Sequence, residues 1–332
     1  MFEDYRLVTH RNCADGAATA VLFQNSGGKD VIFVSPGQNA DEVVTDLYHN
    51  FPGKVIFADI SVSLDVALLL DARKHDFVLL DHHVSSVPLK KFSWCEIEEK
   101  NTRCGSMMLF DWIKQQQNKL IYKSRSLGIT TLQKEHLNEY RRFVELIDDY
   151  DRWVKAFGQE TEDLASLFLC LGQKLFIERF LKDPSAKLQN KERYLLEVDQ
   201  ARKQDLLKQK KKDVKVYIKH IQGKDRRVAF VMVHDHHNEV AEAIYNDQDL
   251  AVDLVIIVGD RISFRSPERS EVDCSKLAAS LKGGGHIHAS GTSLKNVLGV
   301  DLTDLVASKI NQHPTGRCGK DCDPDIDIEP FI

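Results

Sequence analysis

The chain lacks any uninterrupted run of about 18 apolar residues, which is the length that a membrane-spanning helix needs. Its first residues, MFEDYRLVTH, also lack the basic and then apolar pattern of a secretory signal peptide. The sequence therefore predicts a soluble protein of the cytoplasm, with no membrane partner.

Cysteine is sparse, with seven among 332 residues, and no two CxxC motifs form a zinc frame. This pattern is typical of reduced thiols and argues against a disulfide framework. Cys318 and Cys322, in CGKDC, are the only closely spaced pair. One pair without a second is more typical of a terminal tail than of a metal site.

Excess positive charge is missing as well, since 45 Lys and Arg face 50 Asp and Glu, for a net charge of −5 at pH 7. A surface that coats long nucleic acid normally needs a basic face, so this class of function is disfavoured. The lysine run at 208–212 has no aromatic residues between its charges and is most simply a solvated helix face. A small phosphate-bearing ligand in a local pocket stays compatible with the charge.

Short β-branched or aromatic runs, typical of buried parallel strands, are present in the first hundred residues. These runs lie at residues 5–9, 31–35, 54–58 and 77–80, with helical patterns between them at 15–25, 40–49 and 63–74. Strands and helices that alternate in this way predict a doubly wound α/β domain with a parallel sheet. The functional crevice of such a sheet lies at the carboxyl ends of its strands.

The rest of the chain divides into a mainly helical stretch, a charged helix and a second β-rich unit. We predict an N-terminal α/β domain over 1–190, a helical linker over 191–213 and a smaller α/β domain over 214–312, with a cleft between the two domains. A flexible tail is predicted over 313–332.

Four segments of the first domain place Asp or His where they can face one crevice: THRNCADG (9–16), FADIS (57–61), LLDHHVS (79–85) and LIDDYDRW (146–153). Asp15 and Asp59 each precede a helical pattern, so either one alone is explained as a helix N-cap. Two adjacent histidines after a buried strand are not explained by capping. Oxygen and imidazole ligands without an obligatory thiolate favour Mn²⁺ or Mg²⁺ over structural zinc. Two such ions can activate water for phosphoryl displacement.

The ordered series of these four motifs resembles the DHH phosphoesterase superfamily. The later segment FRSPERSEVDCSKLAASLKGGGHIHASG is similar to the C-terminal domain associated with that superfamily, as found in nanoRNases and oligoribonucleases. The match covers about residues 5 to 295, with five motifs in family order. The resemblance implies a catalytic metal-binding first domain and a substrate-binding second domain.

The resemblance also implies two Mn²⁺ ions, with Mg²⁺ or another divalent ion as alternatives. The ligands carried over by motif are His10, Asp15, Asp59, His82 and Asp149. Asp59 would bridge the ions, Asp81 would orient or complete the site, and His83 would face the substrate phosphate as donor or acid, so that Asp81 and His83 are the predicted catalytic residues. Asp148 and Asp151 are alternatives to Asp149, because DDYD admits more than one alignment.

The first motif departs from the common family form His-x-Asp-x-Asp-Gly. HRNCADG has one extra residue, and Cys13 lies where the first Asp is expected. As a further candidate ligand, a Cys13 thiolate would shift the metal preference toward zinc or iron, because sulfur is softer than a carboxylate. The alternative is that Cys13 only packs, and that Asn12 or water fills the gap.

The second domain is expected to bind substrate. Gly283, Gly284 and Gly285 offer backbone N–H groups to phosphate, and His286 adds a donor. Arg265 offers a forked, charged partner to a second phosphate. A glycine run alone is more typical of a turn, and it is the flanking histidine and FRS motif that favour phosphate binding.

Asp-His-His occurs a second time, at Asp235, His236 and His237, directly before the helical pattern 238–247. Asp235 or Asn238 can cap that helix, and the histidines can be simple loop residues. Contact of the histidines, His234 included, with substrate bases across the cleft is the alternative. Metal binding is assigned to the first tripeptide, because only that one follows other strand-end ligands in order.

The resemblance implies a metal-dependent hydrolase that removes 5′-mononucleotides from the 3′ end of dinucleotides and short RNA or DNA oligonucleotides. Alternatives are removal of the 3′-phosphate from 3′-phosphoadenosine 5′-phosphate, hydrolysis of linearised cyclic dinucleotides, RecJ-type single-strand exonuclease activity and polyphosphate hydrolysis. A nucleotide-binding protein without activity is the alternative outside enzymes. The sequence leaves a homodimer open.

Overall fold

The computed structural model describes residues 2–35, 38–126 and 136–300. The predicted tail at 313–332, with Cys318 and Cys322, lies outside the described residues. No helix in the described ranges has the length and apolar character needed to cross a membrane.

The first sheet has five parallel strands in the order β2-β1-β3-β4-β5. The strands are β1 Tyr5–His10, β2 Asp30–Val34, β3 Lys54–Ala58, β4 Phe77–Asp81 and β5 Cys95–Ile97. The connecting helices are α1 Ala14–Asn25, α2 Gln38–Asn50 and α3 Leu64–Asp71, with 3-10 helices at Lys74–Asp76 and Val84–Lys91. The predicted parallel α/β fold is confirmed.

Successive side chains of the central strands enter two separate cores, because side chains alternate between the faces of a sheet. Leu7 and Ile56 belong to one core, while their neighbours Val8 and Phe57 belong to the other. All four are completely buried. Burial of both faces explains why these strands are continuous apolar runs without polar alternation.

Helices from the middle of the chain cover the α1 face of this sheet. They are α4 Gly105–Ser126, α5 His136–Glu139, α6 Arg141–Asp151, α7 Gln159–Lys182 and α8 Asn190–Asp213. Phe143 of α6 stacks on Phe180 of α7 with ring centroids 4.1 Å apart, and this contact sets how α6 lies on α7. The non-helical backbone of Gly172, with φ 68° and ψ 166°, kinks α7.

The second sheet is mixed and has six strands in the order β10-β11-β9-β8-β7-β6, with β7 and β8 parallel and the other pairs antiparallel. Its strands are β6 Lys215–Ile221, β7 Lys224–Met232, β8 Leu254–Val258, β9 Arg261–Arg265, β10 Gly284–Gly285 and β11 Ala289–Ser293. Its helices are α9 His237–Tyr245, α10 Cys274–Ser280 and α11 Leu294–Leu298. The predicted smaller α/β unit is confirmed, while its exact boundaries, 214–312, stay a proposal.

Helix α8 contacts α7 of the first unit and α9 and β7 of the second, and side chains cross between the two units. Lys155, just after α6, forms a 2.7 Å ion pair with Glu242 of α9. His286, just after β10, packs its ring against the rings of His82 and His83. The glycine-rich segment of the second unit thereby faces the carboxyl end of β4.

Candidate metal centre at the strand ends

The parallel register brings the predicted strand-end residues to one edge of the first sheet. Thr9 pairs with Ala58, and Ala58 pairs with Leu80. The next residues along the three strands are His10, Asp59 and Asp81, so these side chains lie at the same level of the sheet. His10 and Asp81 are the last residues of their strands, while Asp59 follows the end of β3.

The loop after β1 turns sharply to place Cys13 and the start of α1. Asn12 adopts a left-handed conformation, with φ 55°, and its N–H donates to Oε1 of Gln173 at 2.9 Å. A Cβ on Gly16 would lie 2.2 Å from the carbonyl oxygen of His10. Glycine is therefore required after Asp15, because any side chain would force α1 away from β1.

Asp59 holds an unusual backbone conformation at the centre of the site. Its φ is 58°, and its side chain is almost fully buried. Gly105 packs against it so closely that a Cβ there would lie 2.6 Å from the Asp59 Cβ. Left-handed backbone at a buried residue other than glycine is costly and is concentrated at functional sites.

The start of α4 anchors the carboxylate of Asp15 and that of Asp148, which lies beside the site. The Ser106 N–H donates to Oδ1 of Asp15 at 2.9 Å, and the Cys104 N–H donates to Oδ1 of Asp148 at 2.6 Å. N–H groups at a helix start have no partner within the helix and favour negative charge. The helix start therefore fixes where the Asp15 carboxylate points.

Within the DHH tripeptide, Asp81 and His83 contact each other, whereas the ring nitrogens of His82 have no hydrogen-bond partner among the described residues. Asp81 accepts a hydrogen bond from Ser86 Oγ and lies 2.8 Å from Nδ1 of His83. Burial alone would raise the pKa of Asp81, but the neighbouring His83 holds it below its usual range. Burial lowers the pKa of His83, whereas the charge and hydrogen bond of Asp81 raise it, and the net direction is upward.

His82 lies among carboxylates that it does not hydrogen-bond. Its Nε2 is 3.5 Å from Oδ1 of Asp59 and 3.4 Å from Oδ2 of Asp151. Desolvation lowers the pKa of His82, but Asp151 and Asp59 outweigh it and raise the pKa to about 10. His10 joins the group from β1, with Nδ1 3.7 Å from Oδ2 of Asp59.

Several buried atoms of this site have no hydrogen-bond partner among the described residues. They are Oδ2 of Asp15, Asp59 and Asp151 and both ring nitrogens of His82. Burial and the nearby Asp15 raise the pKa of Asp59 to about 7, and burial and carboxylate repulsion raise that of Asp151 to about 6. Unpaired buried carboxylates are costly unless a cation joins them. The donor set therefore fits divalent cations.

Among the described residues, four groups of side chains have ligand atoms close enough together to share an ion, within 4.8 Å of one another. One is Asp15, His82 and Asp151; a second is His10, Cys13 and Asp59; a third is Asp59, Asp81, His82 and His83; a fourth is His82, His83 and His286. The first two lie on either side of the Asp59 and His82 contact. We call His10, Cys13, Asp15, Asp59, His82 and Asp151 the metal centre.

The structure does not bring Asp149 to the metal centre, although the family motif nominated it. Its carboxylate accepts the N–H groups of Ala156 at 2.8 Å and Phe157 at 3.2 Å, and the hydroxyl of Thr161. Asp148 is also occupied, since Arg152 forms a 2.6 Å ion pair with it. Of the three alternatives in DDYD, the geometry favours Asp151.

Cys13 lies near enough to His10 and Asp59 to complete their group. Burial, and then the negative charge of Asp59, Asp151 and Asp15, raises the pKa of the Cys13 thiol well above its usual value. Without a cation the sulfur is therefore a neutral thiol, which is a poor ligand. Whether it binds metal or only packs depends on the charge that a bound ion supplies.

The glycine segment of the second unit closes over the histidines. The His286 ring centroid is 4.9 Å from those of both His82 and His83. Burial, together with His83 and His82, lowers the pKa of His286 to about 2, so the ring is neutral. A Cβ on Gly284 would lie 3.9 Å from Ser85 Oγ, which places this backbone beside the loop after β4.

The other predicted binding residues have structural contacts of their own. Arg265 Nε donates to Asn238 Oδ1 at 2.7 Å, and its Nη1 donates to the carbonyl of Phe264 at 2.9 Å. A Cβ on Gly283 would lie 2.2 Å from the Gly291 carbonyl oxygen, and Gly285 has φ 133°. Both glycines are therefore required by the tight β10–β11 turn itself.

The second Asp-His-His lies in the turn from β7 to α9. His237 Nδ1 is 3.1 Å from Ser263 Oγ, and His236 has left-handed backbone with φ 54°. Neither histidine is in a group of potential ligands within the described residues. His236 instead lines a separate cavity.

Three residues that hold the site were not among those nominated from the sequence: Gly105, Ser86 and Gln173. Ser86 follows the DHH motif within five residues of Asp81, so a search for local hydroxyl donors would have found it. Gly105 and Gln173 are far from their partners along the chain. No signal in the linear sequence marks them.

Oligoribonuclease NrnB of Bacillus subtilis is 22% identical to this chain over 312 residues, which covers 87% of the chain and 73% of that protein. The predicted resemblance to the DHH phosphoesterase superfamily is confirmed. No protein-family model matches the chain. This DHH-like chain is also similar to exonuclease RecJ bound to manganese, with 14% identity, coverage of 93% of the chain and 91% of RecJ, and a TM-score of 0.49. The pGpG-specific phosphodiesterase PggH from Vibrio cholerae is 15% identical, with coverage of 92% and 99% and a TM-score of 0.38.

Binding of a divalent ion is expected to stabilise the fold, because it relieves the repulsion among Asp15, Asp59 and Asp151. At a Mn²⁺ concentration about 100 times the dissociation constant, linkage predicts about 2.7 kcal/mol of added stability. Thermal unfolding with and without Mn²⁺ measures this effect. An Asp151→Asn variant should respond less, whereas equal responses of both proteins would place the ion elsewhere.

Proposed function

We propose that this chain is a divalent-metal phosphodiesterase that removes 5′-mononucleotides from the 3′ end of dinucleotides and very short RNAs. The observation that carries the proposal is the convergence of unpartnered buried oxygens of Asp15, Asp59 and Asp151 around the free ring of His82. Similarity to an oligoribonuclease over 87% of the chain supports the substrate class.

Each residue of the metal centre has a proposed place in binding the ions. Asp15, His82 and Asp151 would hold one ion, and His10 with Cys13 would hold the other. Asp59 lies within reach of both His10 and His82 and would bridge the two. A bound pair of divalent ions, with Mn²⁺ as the proposed species, supplies an activated water and neutralises phosphate charge.

His83 is proposed to act on the substrate phosphate. Its Nδ1 is bonded to Asp81, whose second oxygen is held by Ser86. This fixes the ring orientation and leaves Nε2 as the nitrogen available to a phosphate oxygen or leaving group. Asp81 is therefore a positioning residue for His83.

The second unit is proposed to bind substrate and to limit its length. His286 packs over His82 and His83, and the glycine backbone lies next to the β4 loop. We infer that this cover limits how far a strand can continue past the metal centre. A net charge of −5 also disfavours contacts along a long polynucleotide. Both observations favour short substrates over long single strands.

The experiment is a turnover assay with Mn²⁺ on a labelled dinucleotide, a long RNA strand, 3′-phosphoadenosine 5′-phosphate and polyphosphate. The dinucleotide should be hydrolysed fastest, and His82→Ala should remove this activity, because His82 is a proposed ligand of one ion and lies 3.5 Å from Asp59, the proposed bridge. His75→Ala, at an exposed histidine of the 3-10 helix Lys74–Asp76, is the matched control. Faster hydrolysis of the long strand would overturn the proposed substrate class. Absence of metal-dependent turnover with all four compounds would overturn the proposal that the chain is an enzyme.

A further inference from the structure

A cavity of about 280 Å³ lies outside the metal centre, between α7, α8 and the turn that precedes α9. Its polar lining consists of Cys170, Asp199, Arg202, Asp235 and His236. No residue of the metal centre lines it. Because α7 packs on the first sheet and α9 on the second, the cavity lies where the two units meet.

His236 presents an unpartnered group to this cavity. Its side chain is only 9% exposed, and its Nδ1 has no hydrogen-bond partner among the described residues. Its Nε2 lies 3.6 Å from Oδ1 of Asp199. The backbone of His236 is left-handed, with φ 54° and ψ 38°, a conformation that is uncommon outside glycine and that histidine tolerates better than most residues.

Asp199 presents a second unpartnered group to the same cavity. Its side chain is 15% exposed, and its buried Oδ2 has no partner within the described part of the chain. Burial, the charge of Asp199 and a hydrogen bond to its carboxylate raise the pKa of the Cys170 thiol to about 11, so Cys170 stays a neutral thiol. A buried carboxylate oxygen requires N–H or O–H donors, which a ligand can supply.

The remaining lining describes the shape and charge of such a ligand. Leu169, Leu195 and Val198 form apolar walls that suit the faces of a flat ring. Arg202 and Asp235 are both exposed at the same cavity, and the Arg202 guanidinium suits a phosphate. The volume is close to the lower end of the roughly 300–1,000 Å³ of small-molecule sites, which fits one nucleotide and not an oligonucleotide.

We propose that this cavity is a second, non-catalytic site that binds a single nucleotide through a guanine-type base edge. The adjacent N–H donors of such a base bind the Asp199 carboxylate, His236 Nδ1 contacts a further polar atom of the ring, and Arg202 contacts the phosphate. The inference goes beyond the proposed catalytic function, and it stands on residues that take no part in that function.

Titration calorimetry with guanosine 5′-monophosphate tests the proposal in three proteins: the unchanged chain, Asp199→Asn and His236→Asn. Asparagine tolerates the left-handed backbone at 236. Each variant should bind the nucleotide at least about tenfold more weakly. Asp199→Asn removes the charged acceptor of the base N–H donors, and His236→Asn removes the imidazole nitrogen that contacts the base. Asp205→Asn, at an exposed aspartate of the same helix, should bind like the unchanged chain.

Two further measurements separate this site from the metal centre and from a structural role of Asp199. His82→Ala should retain guanosine monophosphate binding even where catalysis is lost. Asp199→Asn should unfold at the same temperature as the unchanged chain or higher, since it removes the charge from a carboxylate whose buried Oδ2 has no partner among the described residues.

Some results would overturn the site. Two of them concern the variants: equal affinity in the Asp199 and Asp205 variants, and loss of binding in His82→Ala. The other two concern the ligand: adenosine 5′-monophosphate that binds as tightly as the guanine nucleotide, and no binding up to about 1 mM nucleotide. A lower unfolding temperature of Asp199→Asn would assign that residue to the fold instead. Since binding is read directly, failure of the proposed phosphodiesterase activity would leave this test intact.

Discussion

Replacing Asp59 with Ala is expected to lower metal-dependent hydrolysis at least about a thousandfold, whereas replacing Cys13 with Ser is expected to cost much less. Asp59 is buried between His10 and His82 and is the proposed bridge of two ions. Cys13 lies at the side of one group and keeps its proton while no ion is bound. The values of kcat/KM in Mn²⁺ for both variants measure the difference.

The left-handed backbone of Asp59 requires a control, since Ala is disfavoured at φ 58°. Asp59→Asn keeps the shape and tolerates this conformation, and it should lose activity as severely as Asp59→Ala while unfolding at a similar temperature. Equal and complete loss in Cys13→Ser and Asp59→Ala would show that Cys13 is an essential ligand or nucleophile.

Asp151→Asn is expected to lose activity and keep its fold, whereas Asp149→Asn is expected to lose stability. Oδ2 of Asp151 faces His82 and has no hydrogen-bond partner among the described residues. Loss of this carboxylate should therefore lower activity at least about a thousandfold and leave the fold intact. The Asp149 carboxylate accepts two backbone N–H groups and the Thr161 hydroxyl. Its replacement should destabilise the fold by about 3 kcal/mol, because buried donors lose their charged acceptor.

Activity assays and urea unfolding of both variants separate these outcomes. Glu160→Gln, at an exposed carboxylate of α7, is the matched control and should change neither quantity much. Activity that survives in Asp151→Asn and disappears in folded Asp149→Asn would restore the original motif alignment and remove Asp151 from the metal centre.

The parallel sheet was predictable from sequence because its central strands are buried on both faces and are therefore apolar at successive positions. The runs around Leu7, Ile56 and Leu79 are apolar at successive positions, and this pattern occurs where helices cover both sides of a sheet. The polar residues that follow these runs were predicted to share one crevice, and the register of β1, β3 and β4 places His10, Asp59 and Asp81 at one level.

The choice within DDYD was not predictable in the same way. Asp148 and Asp151 are three residues apart on α6, whereas Asp149 is rotated by about 100° from Asp148. Which of them faces the strand ends depends on how α6 is rotated, and Phe143 packed on Phe180 of α7 sets that rotation. The motif alone contains no information about this contact between distant segments.

The sequence by itself determined the type of fold, the order of the ligand-bearing segments and the irregular position of Cys13. Local patterns suffice for these features because each depends on the identities of a few residues that are neighbours in the sequence. Only the tertiary structure decided that Asp151 faces His82, that the start of α4 orients Asp15, and that His236 and Asp199 meet at a second cavity. Each of these depends on packing between segments that are distant in the chain, where the distances between side chains are set by the assembled core.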